Sequence, residues 1–347
     1  MYLLNIDWLE TLYVLDYPEK LENPQDVYII NSNLSLNKNQ DFRYYNGQYF
    51  NCFDILIDKE KIGFLYKDPI RNPLFKMKHI ISIRIDNIIL YEGNLHYIMK
   101  TLVDGLKLSF YGYSRLDVCI DTEEDLLSRF KDMFNDTSTY SFKHRSINGE
   151  INTLNVNGTG KYDKITTIGS LKNRKRTIVI YDKSLELEKG NKPYISKLHK
   201  EIFGHNQVFR MELRLFHKGF TKTRKDGFEK LYIDIYRLDD KGYLEEIFKQ
   251  VMNEMIDFRR IEENDSNRTR WKKEEFIKLD DTSEILTKKI DRVEGQGNSY
   301  LKFMVKKLNE DGQKEENKDK KNNFENVRDW YIKEYGMNEY FIRKLSK

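Results

Sequence analysis

Over the first two-thirds of the chain, apolar and polar residues fall into short runs whose alternation has the period of a strand with one buried face. The runs richest in β-branched and aromatic residues are Val27–Ile30, Phe53–Ile57, His79–Ile85, Leu116–Ile120, Ile178–Tyr181 and Phe209–Phe216. Asn-Gly pairs at 46–47, 148–149 and 157–158 supply turn chemistry between them. Two helices are predicted here: Leu95–Leu106, and Glu123–Phe134 with Asp121-Thr122 as its cap. Beyond about Leu231 the period lengthens. Leu244, Ile247, Phe248, Val251 and Met255 recur at three and four residues, the apolar stripe of a helix. Asn309–Asn323 is almost wholly Lys, Glu, Asp, Asn, Gln and Gly, so it buries nothing and reads as a solvated linker. Trp330, Tyr331, Tyr335, Tyr340 and Phe341 then mark a terminal helical segment.

These patterns predict an α+β fold: an antiparallel sheet core with helices on one face, and a helical C-terminal region. The expected division is a sheet domain over 1–230, a helical region over 231–308, a flexible charged linker over 309–323 and a terminal segment over 324–347.

Composition narrows the class. The chain of 347 residues is 33% charged yet 13% aromatic, with 23 Tyr and 20 Phe. Disordered chains are poor in aromatics, so a folded protein with a wet surface is expected. No run of about 18 apolar residues exists to make a membrane-spanning helix. Asp7 and Glu10 interrupt the apolar start MYLLNIDWLE, which lacks a basic leader, so no signal peptide is expected. Cys52 and Cys119 are too few for a disulfide scaffold or an all-Cys zinc site, and the six His show no ligand spacing. The expected compartment is a reducing cytoplasm. Lys and Arg number 60 against 56 Asp and Glu, a net +4, too even for a passive coat on DNA. A nucleic-acid function has to rest on local clusters.

Three segments carry candidate chemistry. In Ser114-Arg115-Leu116-Asp117-Val118-Cys119-Ile120-Asp121, alternation places Leu116, Val118 and Ile120 on one face and Asp117, Cys119 and Asp121 on the other. Carboxylates on a strand suit a hard ion such as Mg²⁺ or Mn²⁺. Asp117 and Asp121 are about 13 Å apart along a regular strand, however, too far to share one ion unless it ends or bulges. In Phe209–Phe216, Arg210, Glu212 and Arg214 share the polar face, either as a cross-strand charge ladder or as a metal carboxylate flanked by phosphate-binding arginines. The third segment is a hairpin, Thr166–Ser170 and Thr177–Lys183, with a basic tip at Lys172, Arg174, Lys175 and Arg176. Tyr181 and Lys183 share a face of its second strand. An adjacent ammonium and a bound cation would favour the phenolate, a nucleophile for an electrophilic centre.

Taken in order, Ile6-Asp7-Trp8-Leu9, Arg115-Leu116-Asp117 through Asp121, Ile168-Gly169-Ser170, Tyr181-Asp182-Lys183 with Glu186, and Arg210-Met211-Glu212-Leu213-Arg214 resemble the Rep_trans family. Its members are rolling-circle plasmid replication initiators and related relaxases of conjugative elements. The resemblance covers roughly residues 5–250. It implies that Tyr181 is the nucleophile attacking a DNA phosphodiester to leave a 5′-phosphotyrosine and a free 3′ hydroxyl. It implies further that Asp117 and Glu212, with Asp121 less well placed, hold the divalent metal. Lys183 with Arg210 or Arg214 would supply fixed positive charge, and the basic tip would grip single-stranded DNA. Implied partners are DNA at an origin, a second copy of the chain and a host helicase, with no membrane. A replication initiator and a conjugative relaxase would share this chemistry. A non-enzymatic DNA-binding protein and a metal-dependent nuclease using water are the readings from other classes.

Overall fold

A computed structural model describes residues 1–21, 25–39, 49–69, 79–143, 155–156, 165–169, 175–189, 192–204, 207–224, 227–279 and 285–286. Its strands are β1 (Tyr2–Leu15), β2 (Val27–Ile29), β3 (Leu34–Lys38), β4 (Tyr49–Ile57), β5 (Glu60–Pro69), β6 (Ile80–Ile85), β7 (Leu108–Thr122), β8 (Tyr140–Lys143), β9 (Asn155–Val156), β10 (Ile165–Gly169), β11 (Arg176–Asp182), β12 (Phe209–Phe216), β13 (Thr221–Arg224), β14 (Gly227–Lys230), β15 (Asp257–Arg260), β16 (Lys273–Glu274) and β17 (Ile285–Leu286). The helices are α1 (Asn87–Glu92), α2 (Leu95–Leu106), α3 (Leu126–Asn135), α4 (Lys183–Lys189), α5 (Pro193–Phe203) and α6 (Lys241–Met255).

Twelve strands form one sheet in the order β2-β3-β4-β5-β6-β1-β7-β12-β11-β10-β9, with β17 beside β1. Every pairing along that path is antiparallel, and β17 joins in parallel. The fold is therefore the mixed type expected, a large antiparallel sheet with helices.

The central strand is the one the alternation did not show. β1 pairs with β6 and β7 along most of its length, but its register slips between Ile6 and Trp8, Glu10 and Thr11, and Leu12 and Tyr13. Only the first places its extra residue, Asp7, in β1; the other two place Ser114 and Tyr111 in β7. β1 is buried at nearly every position on both faces, so no clean alternation is left to read. The β4–β5 turn is likewise built without Asn-Gly. Asp58 and Lys59 take φ of 51° and 70°, the positive values a two-residue hairpin needs. The Asn-Gly pairs lie outside the described residues. Helix α3 begins at Leu126, later than predicted. Asp121 and Thr122 remain in β7, paired with β12 and β1, and Asp125 caps the helix by accepting from Ser128 N.

One face of the sheet, including Leu4, Ile6, Val118, Ile120, Ile178, Ile180, Met211 and Leu213, packs with α2, α3 and α6 in a single core. Each large apolar side chain buried there stabilises the fold by roughly 1.5–3 kcal/mol. Helices are not confined to one face, the arrangement expected from the sequence: on the other face, α5 packs Ile195, Leu198 and Phe203 with Leu3, Tyr91 and Val208. From Leu231 onward, α6 is helical and shares the sheet's core through Leu244, Ile247, Phe248, Val251, Met252 and Met255. Asp257–Arg260 follows as a strand that periodicity did not predict, between β8 and β16, with Phe258 packed on Phe142 at 4.6 Å between ring centroids. The described residues all fall in the compact unit Met1–Asp291. The linker over 309–323 and the terminal segment over 324–347 lie outside them. No described helix is long and apolar enough to cross a membrane.

Candidate active site

Strands β11, β12 and β7 run side by side, so their register decides which polar side chains meet. Tyr181 lies opposite Arg210, and Arg210 opposite Asp121. Val179, Glu212 and Cys119 form the next row, and Thr177, Arg214 and Asp117 the one after. Directly opposed residues share a face, so these rows stand away from the helix-covered core. Beyond β7, β1 contributes Asn5 opposite Cys119 and Trp8 opposite Asp117, with a bulge that leaves Asp7 as the extra residue. Asp117 and Asp121 are two rows apart and serve two separate clusters.

The first cluster holds the predicted nucleophile. Tyr181 Oη donates to Glu212 Oε2 at 3.2 Å. Arg214 donates to the same carboxylate, Nε to Oε1 at 2.9 Å and Nη2 to Oε2 at 3.1 Å. Asp117, fully buried, pairs with Arg115 through Nε at 2.9 Å and through Nη2, and its carboxyl also hydrogen-bonds that of Glu212. Burial raises Asp117 well above the carboxylate range, and the neighbouring Glu212 charge adds to the rise against the hydrogen bond from Arg115. For Glu212, burial and Asp7 push upward, but Arg214 and the hydrogen bond from Asp117 prevail and hold it below its ordinary value. The two carboxyls therefore shift in opposite directions, Asp117 up and Glu212 down.

Lys183 corrects the expected picture in one respect. β11 ends at Asp182 and Lys183 opens α4, so the two residues do not share a strand face. The ammonium still reaches Tyr181 Oη at 3.5 Å, and it is ion-paired to Glu186. Burial raises the Tyr181 phenol well above its ordinary value; Arg210 opposes this and Glu212 adds to it. The resting phenol is neutral. Burial also lowers Lys183, with Arg210 acting in the same direction.

The second cluster is a brace. Arg210, fully buried, donates Nε and Nη2 to Asp121 at 2.6 and 2.7 Å, Nη1 to Asp7 at 2.7 Å and Nη2 to Tyr91 Oη at 2.7 Å. His199 Nε2 lies 2.9 Å from Asp121, and Asn87 donates to Asp7. Burial works against both carboxylates, yet Arg210 outweighs it, assisted by His199 at Asp121 and by Lys192 at Asp7. Both stay well below the ordinary range. Asp121 is thus engaged by cations away from Asp117 and Glu212, and Arg210 is too buried to face a DNA phosphate. Arg176 is also buried, donating to Gly219 O and Glu254, both at 2.6 Å. Lys175 is half-buried, and Lys172 and Arg174 lie outside the described residues. Arg214, with 34% of its side chain exposed, lies at the rim.

Sequence reasoning left Asp7 without a role and did not assign Arg115, Asn87, Tyr91 or His199. Arg115 was legible in principle, two residues before Asp117 on the same strand face. Asn87, Tyr91 and His199 come from α1 and α5, and no local pattern links them to the sheet.

Among the described residues, no group of three or more His, Cys, Asp or Glu could hold a metal ion. Asp117 and Glu212 fit a divalent cation as a pair. A cation can displace the proton that two buried carboxyl groups share, and Mg²⁺ is commonly held by one or two carboxylates plus substrate phosphates. Asp121 does not belong to that donor set. No family model and no curated protein matches the chain. Among solved structures, it is similar to a rolling circle replication initiator protein from Geobacillus stearothermophilus. The TM-score is 0.45 and the identity 13%, over 80% of this chain and 94% of that one.

Proposed function

We propose that the protein is a rolling-circle replication initiator, a metal-dependent enzyme that nicks and recloses one DNA strand at a specific site through a 5′-phosphotyrosine on Tyr181. The observation that carries this reading is the Tyr181 phenol donating to Glu212 on the neighbouring strand, with Asp117 of the next strand hydrogen-bonded to the same carboxylate.

In the nicking step Tyr181 Oη attacks the phosphorus, an oxygen–phosphorus bond forms, and the bond to the 3′ oxygen breaks. The phenol proton passes to Glu212, already its acceptor at 3.2 Å. The departing 3′ oxygen takes a proton from solvent and remains as a hydroxyl. Lys183 beside Oη and Arg214 at the rim place fixed positive charge where the phosphoryl oxygens must sit. Mg²⁺ or Mn²⁺ held by Asp117 and Glu212 would neutralise charge on those oxygens. The covalent bond conserves the energy needed for rejoining, which hydrolysis would lose. The partner is DNA presented unpaired at an origin; a second copy of the chain would bring a second tyrosine, and a host helicase would extend the opening.

The test is incubation with supercoiled origin plasmid and Mn²⁺, followed by a denaturing gel for covalent protein–DNA adduct. Tyr181→Phe keeps the ring and should abolish adduct and nicking while leaving DNA binding nearly intact. Undiminished nicking by that variant, or nicking by the wild type with no adduct, overturns the tyrosine mechanism.

A further inference from the structure

The face that carries Tyr181 continues past the reactive cluster as a row at right angles to the strands. Phe216 of β12 lies opposite Arg115 of β7, Arg115 opposite Glu10 of β1, Glu10 opposite Arg84 of β6, and Arg84 opposite Phe64 of β5. Cations and rings are stacked along it. The Arg115 guanidinium is 4.5 Å from the Trp8 ring and 5.4 Å from that of Phe216. Arg84 is 5.0 Å from Trp8 and 4.7 Å from Phe64, and Lys61 covers Phe64 at 3.9 Å. The acid in the middle, Glu10, is buried and accepts from Ser82 Oγ at 3.0 Å, whereas Arg84, Arg115 and Trp8 are all partly exposed. Arg115 also bonds Asp117, so the row begins against the reactive cluster.

We propose that this row is a track for unpaired DNA leading to Tyr181, with guanidinium groups on phosphates and the partly exposed rings of Trp8 and Phe216 against bases. The end point rests on the nicking reading above. An unpaired strand offers what the row recognises, alternating phosphate charge and free aromatic faces, whereas a duplex keeps its base faces stacked inside. From β12 to β5 are four inter-strand steps of about 4.8 Å, roughly 19 Å in all. At about 3.4 Å per stacked nucleotide this holds at most about six nucleotides on one side of the scissile phosphate.

The experiment measures anisotropy of labelled single strands that extend eight nucleotides either 5′ or 3′ of the nick site, or stop two nucleotides from it, across a salt series. Arg84→Gln should weaken binding about five- to ten-fold for one extended strand, lower its salt slope by about 0.7 and leave the short strand unchanged. Lys61→Gln, at the far end of the row where Lys61 also pairs with Asp54 at 2.8 Å, should act in the same direction by about two- to three-fold. Wild-type affinity and slope in both variants, or equal competition by duplex of the same sequence, would overturn the track. If the wild type forms adduct while both variants bind normally, the track alone fails. If binding depends on Arg84 but no tyrosine adduct ever forms, the nicking reading fails and the track stands.

Discussion

Asp117 and Asp121 occupy the same face of the same strand, both fully buried, yet hold their protons oppositely. Their partners make the difference. Asp121 faces a guanidinium whose remaining donors are taken by Asp7 and Tyr91, with His199 on its far side, so burial is overcome and the charge is kept. Asp117 has one rim arginine and another acid, and burial prevails. The Arg210 group ties β7, β12, the β1 bulge, α1 and α5 together. Burial of an acid does not by itself set its protonation; the charges and hydrogen bonds that face it do.

Removing one member of each cluster should separate the two most sharply. Asp121→Asn leaves the buried Arg210 short of its counter-charge and should cost about 3–5 kcal/mol of stability by urea denaturation. A loss below about 1 kcal/mol would show that the brace is no different from the pair. At about pH 4, Asp117→Asn should change stability by less than about 1 kcal/mol, because there the amide replaces a carboxyl that is protonated in both the folded and the unfolded chain. Its cleavage rate at limiting Mg²⁺ or Mn²⁺ should nonetheless fall at least about ten-fold, the loss usual for even an outer-shell metal partner. Single-turnover rates at several metal concentrations decide this, and a wild-type rate would return Asp117 to a packing role.

The smallest effect is in the pH dependence, where the two acids have opposite signs. The folded value of Asp121 lies below its unfolded one, so its contribution is present above the ordinary carboxylate value of 3.8 and is lost as pH falls below it. The folded value of Asp117 lies above, so its contribution is full below that value and declines as pH rises toward the folded one. The decline can reach about 1.4 kcal/mol per pH unit. Melting temperatures of wild type and Asp117→Asn from pH 4 to 8 should diverge in the variant's favour as pH rises. Parallel curves would mean that Asp117 is ionised in the folded protein.

Strand β12 and helix α2 match their predicted bounds, Phe209–Phe216 and Leu95–Leu106, because each keeps one unbroken period from end to end. β1 was hidden because both of its faces are buried, and its one bulge delivers Asp7 to Arg210. Tyr181, Glu212 and Asp117 were singled out by their order along the chain, and the structure brings Tyr181 and Glu212 within hydrogen-bonding reach. Arg176 was misplaced because a run of cations looks alike whether it ends in solvent or beneath a helix, and Arg210 because its alternation with Glu212 and Arg214 does not show which arginine is buried.

The alternation in Arg115–Asp121 and Phe209–Phe216 determined by itself which side chains share a face, since a strand's period is two whatever lies beside it. Register was a different matter. Arg210 meets Asp121 across 89 residues of chain and Asp7 across 203, and Tyr181 meets Glu212 across 31. Only the tertiary structure decided those meetings and the protonation that follows from them, because charge, burial and hydrogen bonding at each carboxyl are set by neighbours that no local stretch of sequence contains.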